Sequence, residues 1–244
     1  MPKRGCGHGN CYTSNCVVKQ FEQLLIYTYT LLTAFMKILL VVLMASLSAT
    51  AQTIPVLYPK LSKTLDSLAY VDQWPMQRMF QQLPDSAGRN LEQVEKINFA
   101  SHQPLLEKIV KQYGYPGFRQ VGEKSAHNFW LLVQHADAHP DFQRQVLRLM
   151  LPEVKRKNAS PVDYAYLTDR VAIKSGQPEE YGTQLTYTGN VGNDFSRVVA
   201  APVSLRDPKN VDKRRAAMGM EPLQEYLNRM AEMTRQMNKP KPLE

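Results

Sequence analysis

Past residue 51 the chain has no cysteine. All three, Cys6, Cys11 and Cys16, lie at the extreme N-terminal end. The rest therefore offers no disulfide, no thiol nucleophile and no lipid-bearing cysteine. The early three, with His8 among them, do not make a structural zinc site, because Cys-x4-Cys-x4-Cys lacks the close ligand pairs such sites use. Also missing are a Gly-x-Ser-x-Gly elbow, a Gly-rich phosphate loop and a His-Glu-x-x-His pattern. No internal repeat or low-complexity block occurs. The net charge is +8, yet no basic stripe is interleaved with stacking aromatics, so a nucleic-acid partner is not expected.

What is present begins with an address. Met36-Lys37 is a short positive segment, Ile38 to Leu47 an apolar run, and Ala49-Thr50-Ala51 a small-x-small cleavage site before Gln52. Together they read as a secretory signal peptide, residues 36–51, with Met36 the expected true start and residues 1–35 a mis-assigned extension. The expected location is the periplasm or the extracellular space. The alternative is an uncleaved membrane anchor over residues 21–47. That anchor would hold Lys37 within the bilayer at a cost of about 2.5–3.5 kcal/mol. Losing residues 1–51 removes Lys3, Arg4, Lys19, Lys37 and Glu22 and leaves a net charge of +5. No stable membrane span is expected after cleavage. The remaining 52–244 is expected to form a single domain.

Within it, helical spacing dominates. Leu61, Leu65 and Leu68 predict an amphipathic start in 59–83, divided into two short helices at Pro75. A helix over 91–113, bent at Pro104, ends at Gly114 and Pro116. Residues 124–136 are apolar nearly all round (Ala126, Phe129, Trp130, Leu131, Leu132, Val133), which predicts a buried central helix. Pro140 opens the next helix, whose end Pro152 should kink or fray. Ser160 caps another that stops at Gly176. Two β-prone runs, 183–188 and 197–203, suggest one hairpin in the C-terminal third. A short basic helix follows Pro208, and Leu223, Tyr226, Leu227, Met230, Met233 and Met237 mark a final amphipathic helix. Lys155-Arg156-Lys157 and Lys213-Arg214-Arg215 read as solvated faces. The fold class is mainly α: a compact helical domain around its central helix, with one hairpin.

The densest polar anomaly is the end of that central helix, Gln134-His135-Ala136-Asp137. Buried polar groups cost about 1–3 kcal/mol each when left unbonded, so partners must converge from elsewhere. Asp169-Arg170 and Tyr181, Thr183 and Gln184 are the candidates. A bland account also exists: Asp137 capping the Pro140 helix, His135 bonded to a backbone carbonyl, and Asp169 paired with Arg170. His135-Ala-Asp137-Ala-His139 hints at a metal, but a helix end spreads alternate residues apart, so neither metal nor cofactor is expected. The Asn158-Ala-Ser160 sequon, followed by Pro161, is expected to be idle.

One succession of motifs is specific: Gly114-Tyr-Pro-Gly117 with Val121-Gly122, then Trp130 with Gln134-His135-Ala136-Asp137. Phe142-Gln143, Tyr164-Ala-Tyr-Leu-Thr-Asp-Arg170 and Tyr181-Gly-Thr-Gln184 come next. Arg214-Arg215, Gly219 and Pro222-Leu223 complete it. Asp72-Gln73 and Arg78 match an earlier element. This pattern resembles a bacterial domain of unknown function frequent in Bacteroidota and actinobacteria, over most of residues 60–230. Two departures stand out. Glu179 sits where the family carries an amide, and His139 is not part of the pattern. The resemblance implies a fold unit and no activity.

Three functions are then expected in competition. The leading one is a module binding a polar small molecule or an envelope protein through Trp130, Gln134, Arg170, Tyr181 and Gln184. Its rival is a hydrolase-like enzyme with His135 as general base and Asp137 or Asp169 orienting it. The third is a purely structural envelope protein.

Overall fold

The computed structural model describes Thr33, Met36, Lys37 and residues 55–190 and 194–238. The signal segment beyond Lys37, the three cysteines and, apart from Thr33, Met36 and Lys37, the 21–47 alternative lie outside the described residues. The compact unit that carries the fold begins at Pro55.

Helix α1 runs unbroken over Pro59–Phe80, with Pro75 inside it. This corrects the expected division into two helices. Pro75 has no N–H to give the carbonyl four residues back, that of Val71. Asn98, on the neighbouring helix, donates to that carbonyl from Nδ2 at 2.8 Å. The lost bond is replaced from outside, and the helix continues. Helix α2, Leu91–Tyr113, starts where Asn90 accepts from the Gln93 N–H (3.0 Å) and ends at Gly114 with φ of 69°. Both ends follow from side-chain and glycine capping.

A short turn of helix, α3 (Phe118–Val121), leads into α4 (Glu123–Gln134). Asn158 fastens this entry. Its carbonyl accepts from the Phe118 N–H and its Oδ1 from the Arg119 N–H, both at 2.8 Å. A Cβ at Gly117 would collide with the Asn158 amide and carbonyl, which accounts for glycine there. The sequon asparagine is thus buried and fully engaged.

Helix α5 spans Pro140–Lys155, with Pro152 tolerated in its last turn, and α6 spans Pro161–Lys174, capped by Ser160 Oγ on the Asp163 N–H at 3.1 Å. α1 packs on α2 and α4, and α5 packs on α6. Their interior is apolar, built on Leu65, Leu106, Phe129, Leu132, Val133, Val146, Met150 and Leu167, each at most 2% exposed.

The C-terminal part is thinner. Strands β1 (Leu185–Thr188) and β2 (Val199–Pro202) form an antiparallel hairpin with Leu185 opposite Pro202 and Tyr187 opposite Ala200. A 3-10 turn (Pro208–Asn210) and α7 (Val211–Ala217) follow, and α8 (Leu223–Met237) packs on β2. Only Tyr226 and Ala231 of α8 are buried. Met233 and Met237, expected inward, are half exposed. The described residues thus form a mainly helical fold of eight α-helices with one hairpin. None of these helices is long and apolar enough to cross a membrane.

Candidate functional site

The last turn of α4 meets α6, β1 and α8 around a cleft of about 380 Å³. From α4 and its C-cap come Trp130, Leu131, Gln134 and His135. Helix α6 supplies Tyr166 and Arg170. The strand side adds Thr183, Gln184, Leu185 and Tyr187, and α8 adds Tyr226 and Met230. Trp130 and Leu131 help make the α4 sequence apolar all round, yet both are only half-buried. They face this cleft, while Phe129, Leu132 and Val133 face the core.

His135 is oriented by a residue outside the expected set. Its Nδ1 lies 2.7 Å from Oδ2 of Asp72, a fully buried carboxylate on α1, and its ring lies against Phe99. On the other side of Asp72, His102 Nδ1 stands 3.6 Å from Oδ1. Burial alone would raise the Asp72 carboxyl. The nearby His102 ring, the bond with His135 and the amide of Gln73 outweigh it and hold the group at about 2. A carboxylate facing Nδ1 fixes the proton there and leaves Nε2 as the free nitrogen of the ring.

Neither expected orienting acid touches His135. Asp137 instead takes a two-pronged contact from Arg170, Nε to Oδ1 at 2.7 Å and Nη2 to Oδ2 at 2.9 Å. Lys174 adds a contact at 3.1 Å. Against the pull of burial, these cations keep Asp137 below its ordinary value. The other expectations for these residues change with it. The N-cap of α5 is His139 without a side-chain cap bond, so Asp137 does not cap it. Asp169 is paired with backbone, not with Arg170. Its two oxygens accept from the N–H groups of Glu180, Tyr181 and Thr183 and from the Thr183 hydroxyl, all within 3.3 Å.

Asp169 therefore works beneath the cleft, hanging one wall of it. Glu179 does the same from the other side of the loop. It accepts from the N–H groups of Gln184 (2.6 Å), Val203 (3.0 Å) and Ser204 (3.3 Å). Both carboxyls are wholly buried, and burial raises both, Glu179 to about 7. A buried cation completes the anchor. Arg215 Nε donates to the Glu221 carbonyl and Nη1 to that of Tyr181, each at 2.7 Å, with its guanidinium against the Tyr226 ring. Arg215 is 1% exposed, which corrects the reading of Lys213-Arg214-Arg215 as a solvated face. Tyr181 is likewise part of this anchor and does not line the cleft.

Of the eight site residues expected from the sequence, Trp130, Gln134, His135, Arg170 and Gln184 come together in the cleft, with Asp137 behind Arg170. Gln134 itself is a bracket. With its carbonyl oxygen turned to the available donors, it accepts from Trp130 Nε1 and the Leu167 N–H, both at 3.1 Å. Gln143, fully buried, donates from one amide nitrogen to the Val133 and Gln134 carbonyls and to Asp137. Asp72, His102, Tyr166, Tyr187 and Tyr226 were missed as site residues. Asp72 and Tyr166 carried a sequence signal, each as part of a motif element. Among the described residues, no three His, Cys, Asp or Glu side chains are grouped to hold a metal ion.

No curated protein and no solved structure matches the chain. One comparison does: a family of unknown function, DUF6624, matches residues 59–237, nearly all of the described fold and every residue of the cleft, and the chain belongs to that family.

Proposed function

We propose that this domain binds a small polar ligand in the cleft between α4, α6, β1 and α8. The observation that carries the reading is the convergence there of unlike groups: His135, Arg170 and Gln184 against Trp130, Tyr166 and Tyr187. A concave, largely aromatic and aliphatic lining with a few fixed polar groups is how proteins hold small molecules. Two of these polar groups are also held from behind: His135 by Asp72 and Arg170 by Asp137. Such support limits the rotamer freedom lost on binding. The reading includes export, on the strength of the 36–51 segment.

Thermal-shift screening of small polar metabolites tests it. A ligand at a hundred times its Kd stabilises by about 2.7 kcal/mol. The shift is expected in the parent protein and absent in Tyr187→Ala, whose side chain is 38% exposed and belongs to neither apolar cluster. Equal shifts in both proteins remove the cleft from consideration.

A second reading, acid–base catalysis at His135, has its own support in the Asp72 contact. A general base needs one ring nitrogen fixed and the other facing the ligand. Long-range proton–nitrogen spectra of the imidazole test this without a substrate. Nδ1 is expected to carry the proton, and Asp72→Asn to disturb that preference. A bare Nδ1 in the parent protein ends the catalytic reading. Recovery of a bound compound unchanged, in protein with the expected tautomer, leaves binding alone.

A further inference from the structure

Resting on the ligand-binding reading, we infer that the cleft takes a neutral, hydroxyl-rich ring, a carbohydrate unit, and that Asp137 sets this preference by neutralising Arg170.

Charge is the first argument. Among the described residues, no Asp, Glu or Lys lines the cleft, and Arg170 is the one permanent cation lining it. Nothing there pairs with a cationic ligand. An anion fares no better, because the Nε and Nη2 edge of Arg170 is already occupied by both oxygens of Asp137. Lys174 also reaches Asp137 but sits outside the cleft, half exposed. His135 adds no net positive charge in either protonation state, since Asp72 stands behind it with a full negative charge. The site is electrically satisfied before a ligand arrives. Bringing in a charged one means desolvating a charge that meets no uncompensated counter-charge in the lining.

The geometry of the rings points the same way. A planar base or nucleoside is held best between parallel aromatic faces. Here the rings stand edge to face: Trp130 to Tyr166 at 88° and Tyr166 to Tyr226 at 87°. Trp130 also lies against His127, and Tyr226 carries Arg215 and Arg229 over its ring. What remains is a mixed surface with hydroxyls, the Gln184 amide, the remaining Arg170 Nη1 hydrogens and the His135 Nε2. Arg170 Nη1 reaches Gln184 Oε1 only at 3.5 Å, the outer limit of a hydrogen bond, so both groups have capacity to spare. A sugar ring, with its apolar C–H face and a rim of hydroxyls that donate and accept, uses both halves of that lining.

The chain has two tryptophans, so Trp74→Phe leaves Trp130 as a single fluorescent reporter inside the cleft. Full-length protein carrying that change is titrated with maltose, cellobiose and N,N′-diacetylchitobiose. Glucuronic acid, glucosamine and adenosine are titrated alongside. A saturable Trp130 change with at least one neutral disaccharide, unaffected by added salt, is expected. Asp137→Asn should then free Arg170 and tighten glucuronic acid by about tenfold. If only a charged compound or adenosine titrates Trp130, the carbohydrate inference falls while the cleft still binds ligand. If none of the six does, the inference also falls, and the metabolite screen decides the cleft separately. An unchanged preference in folded Asp137→Asn removes Asp137 from the role.

Discussion

From α1 to α6 the largest wholly buried side chains are Phe129, Leu65, Leu106, Leu132, Met150 and Leu167. After Gly176 they are Arg215 and Glu179. Among the described residues, the apolar cluster of the C-terminal part has Val198, Ala200 and Ala231 as its buried members, with Leu185, Leu227 and Met230 half-buried against them. The first region is held by non-directional burial, in which each apolar side chain contributes wherever it packs. The second is held by bonds that work in one geometry only: Asp169 and Glu179 on loop N–H groups, Arg215 on loop carbonyls. Directional anchoring adds little net stability and fixes position closely. The cleft lies at the seam, with one wall built by packing and the other by hydrogen bonds.

The sharpest way to break that comparison is to damage each region by its own mechanism. Phe129→Ala should cost about 3–5 kcal/mol and lower hydrogen-exchange protection throughout. Asp169→Asn turns one acceptor oxygen into a donor facing N–H groups and should cost about 3 kcal/mol. Its exchange should rise in 179–206 first, with α1, α2 and α4 still protected. If both variants lose protection everywhere together, the two regions are one cooperative unit and the comparison fails.

Acidity sharpens it next. The Glu179 carboxyl is pushed up to about 7 by burial, with the neighbouring Asp169 charge adding to the effect. In the unfolded chain it titrates near its ordinary value. An acid raised on folding binds its proton more tightly in the native state. Its stabilisation is therefore complete below about pH 4.5 and is lost as pH rises through about 7. The unfolding free energy should fall by about 3 kcal/mol across that window. His127, raised by Asp163, acts in the same direction at the upper end, so the Glu179→Gln difference is what isolates the glutamate. Denaturant melts at a series of pH values provide the measurement. A variant with the parent slope shows that Glu179 does not titrate there.

The same contrast explains what could be read in advance. Apolar patterning reports burial locally, so the central helix was legible from the run around Phe129, the hairpin from the β-prone runs 183–188 and 197–203, and helix ends from Ser160 and Gly114. Five cleft residues were legible because polar groups beside an apolar run must find partners. The partners themselves were not. Asp72 lies 63 residues from His135, and the motif element that contains it does not say which side chain it meets. Arg215 was misread because a Lys-Arg-Arg run looks the same whether its last member meets water or two carbonyls. Pairings across the fold depend on topology, which periodicity does not encode.

The smallest effect tests how the apolar region handles its own polar exception. Pro75 would be expected to break α1, yet the Val71 carbonyl it orphans is served by Asn98. If that bond replaces the missing helix bond, Asn98→Ala should cost about 1 kcal/mol. In a Pro75→Ala background, residue 75 regains an N–H for Val71, and the same Asn98→Ala change should then cost little. The difference between the two costs is the coupling energy, free of whatever each substitution does by itself. A coupling near zero would mean that Asn98 merely lies beside α1. In that case the helix passes through Pro75 because packing on α2 and α4 holds it, and the apolar region would prove even less dependent on directional bonds than the contrast with Asp169 already implies.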